Sequence, residues 1–327
     1  MYTMLGGWTI PTLVAKSLWF VVRANIAAIL ILPLASVHQE RKIWKPPSVP
    51  RMTLWGCLKV YCFNVSWFVL TGIGAIVLLP PYILGFRRFV EKQASITVER
   101  YTGFCLVYGF IGPVEVRGAE NLFPNNDERS NPSCVFIANH SSQIDAGAIL
   151  FLRRRWKWIV KQSILYLPGV GWVMTLGRHI SIQRFKNKDK SRDSIKHMYR
   201  ESYTTLREGN SMFVFPQGTR RMTERLPFKD GAFNIALEAE APLMPVSIQI
   251  PLTAWNSAYP LNLLWKRIKD MEPVVLTVHK PIPVTKESDR EKLKEEAFNV
   301  IYSVLKDYSQ SNSPDHGNAS AKVKKTE

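Results

Sequence analysis

The longest apolar run in the chain, Val60 to Phe86, holds 27 residues without a charge. As a helix it would reach about 40 Å, more than the roughly 30 Å of a bilayer's hydrocarbon core. It predicts a membrane-associated segment. Residues 1–37 are also apolar, but Lys16 and Arg23 interrupt them and no basic stretch precedes them, which argues against a cleaved signal peptide. Beyond residue 92 the pattern changes. Short apolar runs of strand character, Cys134–Ala138, Phe213–Phe215 and Val274–Val278, each lead into a polar turn. Between and after them, 146–152, 191–208 and 288–308 carry helix-compatible patterns, and Gly209 closes the second. Residues 309–327 are polar and aperiodic, which predicts disorder. The expected organisation is a helical membrane region at 1–92, a folded domain at 93–309 and a tail at 310–327.

Charge sharpens the membrane reading. Arg41, Lys42, Lys45 and Arg51 precede the long apolar run, and Arg87, Arg88 and Lys92 follow it. Basic residues at both ends conflict with a simple span under the positive-inside rule. With Gly72, Gly74, Pro80 and Pro81 inside the run, they predict broken helices that dip into one leaflet, the basic residues staying on the cytoplasmic side. The net charge of +17 calls for an anionic partner: nucleic acid, a membrane surface or a phosphorylated substrate. Arg153-Arg154-Arg155-Trp156-Lys157-Trp158 interleaves bases with aromatics, which suits lipid headgroups better than nucleic acid given the apolar run upstream. Cys57, Cys62, Cys105 and Cys134 have no metal-ligand spacing and suggest a reducing compartment rather than a disulfide framework.

The candidate chemistry begins where the run Cys134–Ala138 stops, at Asn139-His140, with Asp145 five positions on. On one continuous helix these two side chains would stand about 140° apart. They can meet only if His140 lies before a helix and Asp145 in its first turn. The carboxylate would then take the proton on one imidazole nitrogen and leave the other free as a general base. The same residues admit a plainer account. Ser142-Gln143-Ile144-Asp145 fits a capping box, with Asp145 simply favourable near a helix N-terminus. No His-x-x-x-His or cysteine pair accompanies His140, so no metal is expected.

A second stretch, Phe215-Pro216-Gln217-Gly218-Thr219-Arg220, is another strand end with a flexible glycine and a guanidinium fork. The two stretches together resemble the glycerolipid acyltransferase family, in particular its 1-acyl-glycerol-3-phosphate acyltransferases. Asn139-His140 with Asp145 matches the first motif of that family and Phe215–Arg220 its third. Gly177–Arg184 resembles the second motif and Ala241–Val246 the fourth, in the family's order over roughly residues 100–285. One departure stands out: Gln217 occupies the position where the family usually has Glu.

The resemblance implies an α/β fold, a glycerolipid acyltransferase-like sheet flanked by helices and preceded by the membrane-embedded helical region. It also implies a reaction. An acyl thioester, acyl-coenzyme A or acyl carrier protein, donates to the free hydroxyl of lysophosphatidate to give phosphatidate. No cofactor is needed and nucleic acid is not a partner. His140 is expected as base with Asp145 orienting it. Arg184 and Arg220 are expected to hold the phosphate, Gln217, Gly218 and Thr219 to line the substrate, and Lys229 to add charge. The Gly218 N–H is a candidate oxyanion donor, and His179 is read as structural. Another lysolipid or glycerol 3-phosphate could replace the acceptor, and a non-catalytic protein that binds anionic lipid is the rival from a different class.

Overall fold

A computed structural model describes residues 54–126, 129–183, 188–221, 224–251, 272–305 and 309–310, with isolated positions at 19, 23, 27, 31, 34 and 255. The loop 40–51, Arg184 and the tail 311–327 lie outside the described residues. The chain divides into two compact units, Met1–Val65 with Trp255–Trp265, and Ser66–Ala254 with Lys266–Glu327. In the first, Phe63 packs on Trp255 with ring centroids 5.1 Å apart.

The second unit is built on a seven-stranded sheet: β1 (Val114–Arg117), β2 (Val135–Ala138), β3 (Trp156–Lys161), β4 (Ile180–Ile182), β5 (Ser211–Val214), β6 (Leu243–Gln249) and β7 (Val274–Val278). Their spatial order is β1-β7-β6-β2-β5-β3-β4. All neighbours run parallel except β7 against β6. Central β2 is buried along its whole length, as a parallel strand covered on both faces requires. Its alternate residues divide between two layers. Val135 and Ile137 join the core formed with helices α6 (Lys188–Arg207), α7 (Gly231–Ala239) and α8 (Arg290–Tyr302), through Met198, Phe233 and Ile301. Phe136 faces the other way, against Trp156 and Phe213.

The remaining helices are α1 (Leu54–Ile83), α2 (Arg87–Gln93), α3 (Arg100–Phe110), α4 (Asp145–Ala148) and α5 (Val170–Leu176), with a π-helix at Ala94–Glu99 joining α2 to α3. Among the described residues, Leu58–Ile83 is one helix long and apolar enough to cross a membrane, by length and composition. It is continuous, contrary to the expected break. Pro80 and Pro81 fall in its last turn, so the N–H groups they lack are missing only at the C-terminal end of the helix and not along its length. Gly74 lies where a Cβ would come 2.4 Å from Val98, so it admits a neighbouring helix instead of breaking this one. Ala75 and Leu78 pack with Val90, Ala94, Val98 and Val173, while Ile73, Ile76, Val77 and Ile83 are exposed.

The stretch Arg155–Trp158 corrects the headgroup reading. These residues belong to or adjoin β3, and all four are buried. Their charges are met from within: Glu91 Oε1 accepts from Lys157 Nζ at 2.6 Å and from Arg155 at 3.2 Å. The Gly177 carbonyl accepts from Lys157 as well.

Candidate active site

β2 ends at Ala138, and the next side chain continues its ladder. Buried Asn139 donates to the Ile248 carbonyl at 2.8 Å and accepts from the Ile248 N–H at 2.7 Å. This fixes the strand end against β6 and sends the chain into the turn that carries His140. α4 then begins at Asp145, which satisfies the spacing condition: His140 precedes the helix and Asp145 opens it.

His140 Nδ1 lies 2.8 Å from Asp145 Oδ2. The same oxygen accepts from the backbone N–H of Ser141 at 2.6 Å and of Ser142 at 2.9 Å. An oxygen that receives two N–H donors acts as an acceptor, so Nδ1 carries a proton, and in the neutral ring Nε2 is the nitrogen with the lone pair. The Asp145 side chain is wholly buried, and that of His140 is 20% exposed. The capping account is therefore partly realised as well, because Asp145 satisfies two turn N–H groups while it orients the imidazole.

The third-motif turn holds His140 from three sides. Gln217 Oε1 accepts from the His140 N–H. The His140 carbonyl accepts from the Arg221 N–H at 2.7 Å. The Phe215 ring stacks on the imidazole at 3.9 Å, 12° from parallel. Gly218 takes a φ of +66°, open to glycine at little cost, and closes the turn by donating its N–H to the Phe215 carbonyl at 3.0 Å. That bond occupies the N–H expected to serve the oxyanion. Gln217, expected among the substrate-lining residues, is held within the protein. It is 2% exposed, and its Nε2 donates to the Tyr302 hydroxyl at 2.9 Å, so both ends of the amide are taken up within the protein.

Gly218 and Thr219 are exposed and Arg220 is half-buried. Exposed Lys229 lies against the same turn. Its N–H donates to the Pro216 carbonyl at 2.9 Å, and a Cβ on Gly218 would come 3.0 Å from its Nζ. Arg184, expected as a phosphate ligand, is outside the described residues. Cys134, six positions before His140, is no rival nucleophile, because burial pushes its thiol up to about 12. Among the described residues no group of three or more His, Cys, Asp or Glu side chains could hold a metal.

His179 sits in a different setting. Nδ1 accepts from the Trp158 N–H at 3.1 Å, which leaves Nε2 to donate to Glu99 Oε1 at 2.6 Å. The other carboxylate oxygen accepts from the Trp158 indole at 3.1 Å. Both ring nitrogens are thereby engaged and the side chain is fully buried. Sequence reasoning missed Glu91, Glu99 and Tyr302, whose partners lie 59 to 85 positions away along the chain.

Residues 113–249 match the family model described as Acyltransferase. It is 30% identical over 206 residues to the 1-acyl-sn-glycerol-3-phosphate acyltransferase BAT2, chloroplastic, of Brassica napus, covering 61% of this chain and 55% of that protein. It is 34% identical over 190 residues to 1-acyl-sn-glycerol-3-phosphate acyltransferase beta of Homo sapiens, covering 58% and 63%. The chain spans about half the length of the first curated relatives it matches, 55% and 46%. A crystal structure of the 1-acyl-sn-glycerophosphate (LPA) acyltransferase PlsC from Thermotoga maritima superposes with a TM-score of 0.48 at 22% identity, covering 75% of this chain and 96% of that one.

Proposed function

We propose that the protein transfers an acyl group from a thioester to the free hydroxyl of lysophosphatidate, giving phosphatidate. The observation that carries the reading is the His140–Asp145 pair at 2.8 Å with one ring nitrogen left open, in a domain that matches the Acyltransferase family model. The names of the relatives supply the acceptor. His140 Nε2 takes the proton of the acceptor hydroxyl as its oxygen attacks the thioester carbonyl. Asp145 holds the imidazole and stabilises its protonated form. The tetrahedral intermediate then expels the donor's thiolate, which leaves as the thiol on taking up a proton from His140. The protein itself supplies no covalent nucleophile.

Arg220 and Arg184 are assigned to the acceptor's phosphate, since two planar guanidinium groups suit a phosphate monoester, and Lys229 adds charge beside the turn. Acyl-coenzyme A and acyl carrier protein are both compatible donors. With Gly218 committed to its turn, the oxyanion falls to other donors of the third-motif loop. The apolar face of α1, with Ile73, Ile76, Val77 and Ile83 exposed, is assigned to lipid. Residues 93–309, the catalytic domain, are assigned to the membrane surface, and the basic residues flanking α1 favour its cytoplasmic side.

The test is acyl transfer by purified protein with labelled oleoyl-coenzyme A and lysophosphatidate, wild type beside His140→Ala. Phosphatidate from wild type alone supports the reaction and the base. Equal activity in both would overturn the mechanism.

A further inference from the structure

We infer that Tyr302, outside every motif and outside the matched residues 113–249, is a positioning residue for the base, acting through Gln217. The inference rests on the proposed role of His140. The hydrogen-bond directions are forced. The His140 backbone N–H can only donate, so the Gln217 atom that meets it is Oε1. Nε2 is then the atom that faces Tyr302, at 2.9 Å, and the hydroxyl oxygen accepts. The amide is buried, and within the protein Tyr302 is the partner that satisfies its nitrogen.

Tyr302 is itself held rigidly. It occupies the last position of α8, packs on Phe298 at 4.7 Å and on Phe228 at 6.1 Å, and lies under the Arg225 guanidinium at 5.6 Å. The C-terminal helix thus sets the position of the amide, and the amide sets the backbone of His140.

This arrangement also accounts for the Gln in place of the family's Glu. A hydroxyl both donates and accepts. Facing Gln217 it accepts from Nε2; facing a carboxylate it would donate instead, while the other carboxylate oxygen still accepted from the His140 N–H. Tyrosine at 302 serves either residue, and phenylalanine serves neither. Gln217 would keep a buried, unpartnered N–H, and a Glu there would keep one buried carboxylate oxygen without a donor.

The experiment is steady-state acyl transfer with oleoyl-coenzyme A and lysophosphatidate, comparing wild type, His140→Ala, Tyr302→Phe, Gln217→Glu and the last two combined. Thermal melts accompany each variant, to correct rates for folded protein. The ring packing survives in Tyr302→Phe, so the protein is expected to fold. Its kcat should fall about tenfold, the scale of one unsatisfied buried donor, with KM for both substrates changed less than about twofold, as for an interaction felt in the transition state. Gln217→Glu should lower kcat less than Tyr302→Phe does, and the double variant should fall below the product of the two single effects. A wild-type kcat in Tyr302→Phe, or effects that simply multiply, would overturn the positioning role while His140→Ala stays inactive. If wild type transfers no acyl group, or His140→Ala matches it, the proposed function fails first and the role of Tyr302 falls with it.

Discussion

The protein contains two histidine–carboxylate pairs with nearly the same contact distance and opposite prospects. His140 meets Asp145 at 2.8 Å and His179 meets Glu99 at 2.6 Å. The distance to the carboxylate does not separate them; the second nitrogen does. In His179 it accepts from the Trp158 N–H and the side chain is fully buried. In His140 it meets no partner among the described residues, and the side chain keeps 20% of its exposure. A His–Asp contact alone is weak evidence of chemistry, since a buried pair can just as well join two elements. Glu99 ends the π-helix and His179 precedes β4, so their bond ties the helical layer to the sheet.

The largest expected effects break this comparison at its active side. His140→Ala should lower acyl transfer by roughly 10³-fold or more, within the range for losing a general base. Asp145→Asn should follow with a smaller loss, because its amide oxygen can still accept from Nδ1 and the two turn N–H groups but no longer offers a charge to stabilise the protonated imidazole. A rate close to wild type for Asp145→Asn would reduce that residue to its capping role. His179→Ala should act differently. It removes one of the two donors to Glu99 and should cost about 1.5–3 kcal/mol of stability, the scale of a hydrogen bond to a charged group. Activity per folded molecule should stay near wild type. A loss of kcat without a fall in melting temperature would erase the distinction between the two histidines.

Arg220→Ala sharpens the division inside the site itself. If the guanidinium holds phosphate, KM for lysophosphatidate should rise about tenfold to a hundredfold, the equivalent of one charge-assisted hydrogen bond. KM for the acyl donor should hardly change. Arg184→Ala should behave alike, and an equal rise in both KM values would remove either residue from the phosphate site.

What could be read from the sequence followed its local spacing. The five-residue gap from His140 to Asp145 constrained both side chains through one turn, and Val274–Val278 is the strand its apolar run implied. Readings that depended on distant partners went astray. Trp156-Lys157-Trp158 alternates apolar and basic residues, the mark of a half-exposed strand. The carboxylate that lets Lys157 be buried comes from Glu91, 66 positions earlier. Gln217 was expected at the substrate by resemblance to the third motif, and the Tyr302 hydroxyl that its amide meets comes from α8, 85 positions on. Gly72 and Gly74 look like helix breakers in one dimension, whereas the neighbour that needs the space at Gly74 is Val98.

The smallest effect belongs to the structural side of the comparison and is read against pH. Burial works against the charged form of Glu91. The Lys157 hydrogen bond and the charges of Lys157, Arg155 and Arg178 outweigh it, so the carboxyl pKa lies below its ordinary 4.5. Burial lowers the pKa of Lys157 as well, and Glu91 recovers only part of that shift, so the pair's low-pH signature is carried by the carboxylate. A folded-state value below the unfolded one means that the unfolded chain binds the proton more tightly. The stabilisation is therefore complete above about pH 4.5 and is lost as pH falls through the lower folded value. Melting temperature should drop across that acid window in wild type. Glu91→Gln should be less stable at neutral pH, since Arg155 and Lys157 lose their counter-charge, and should show a shallower acid drop. The same acid slope in both proteins would mean that Glu91 does not control it.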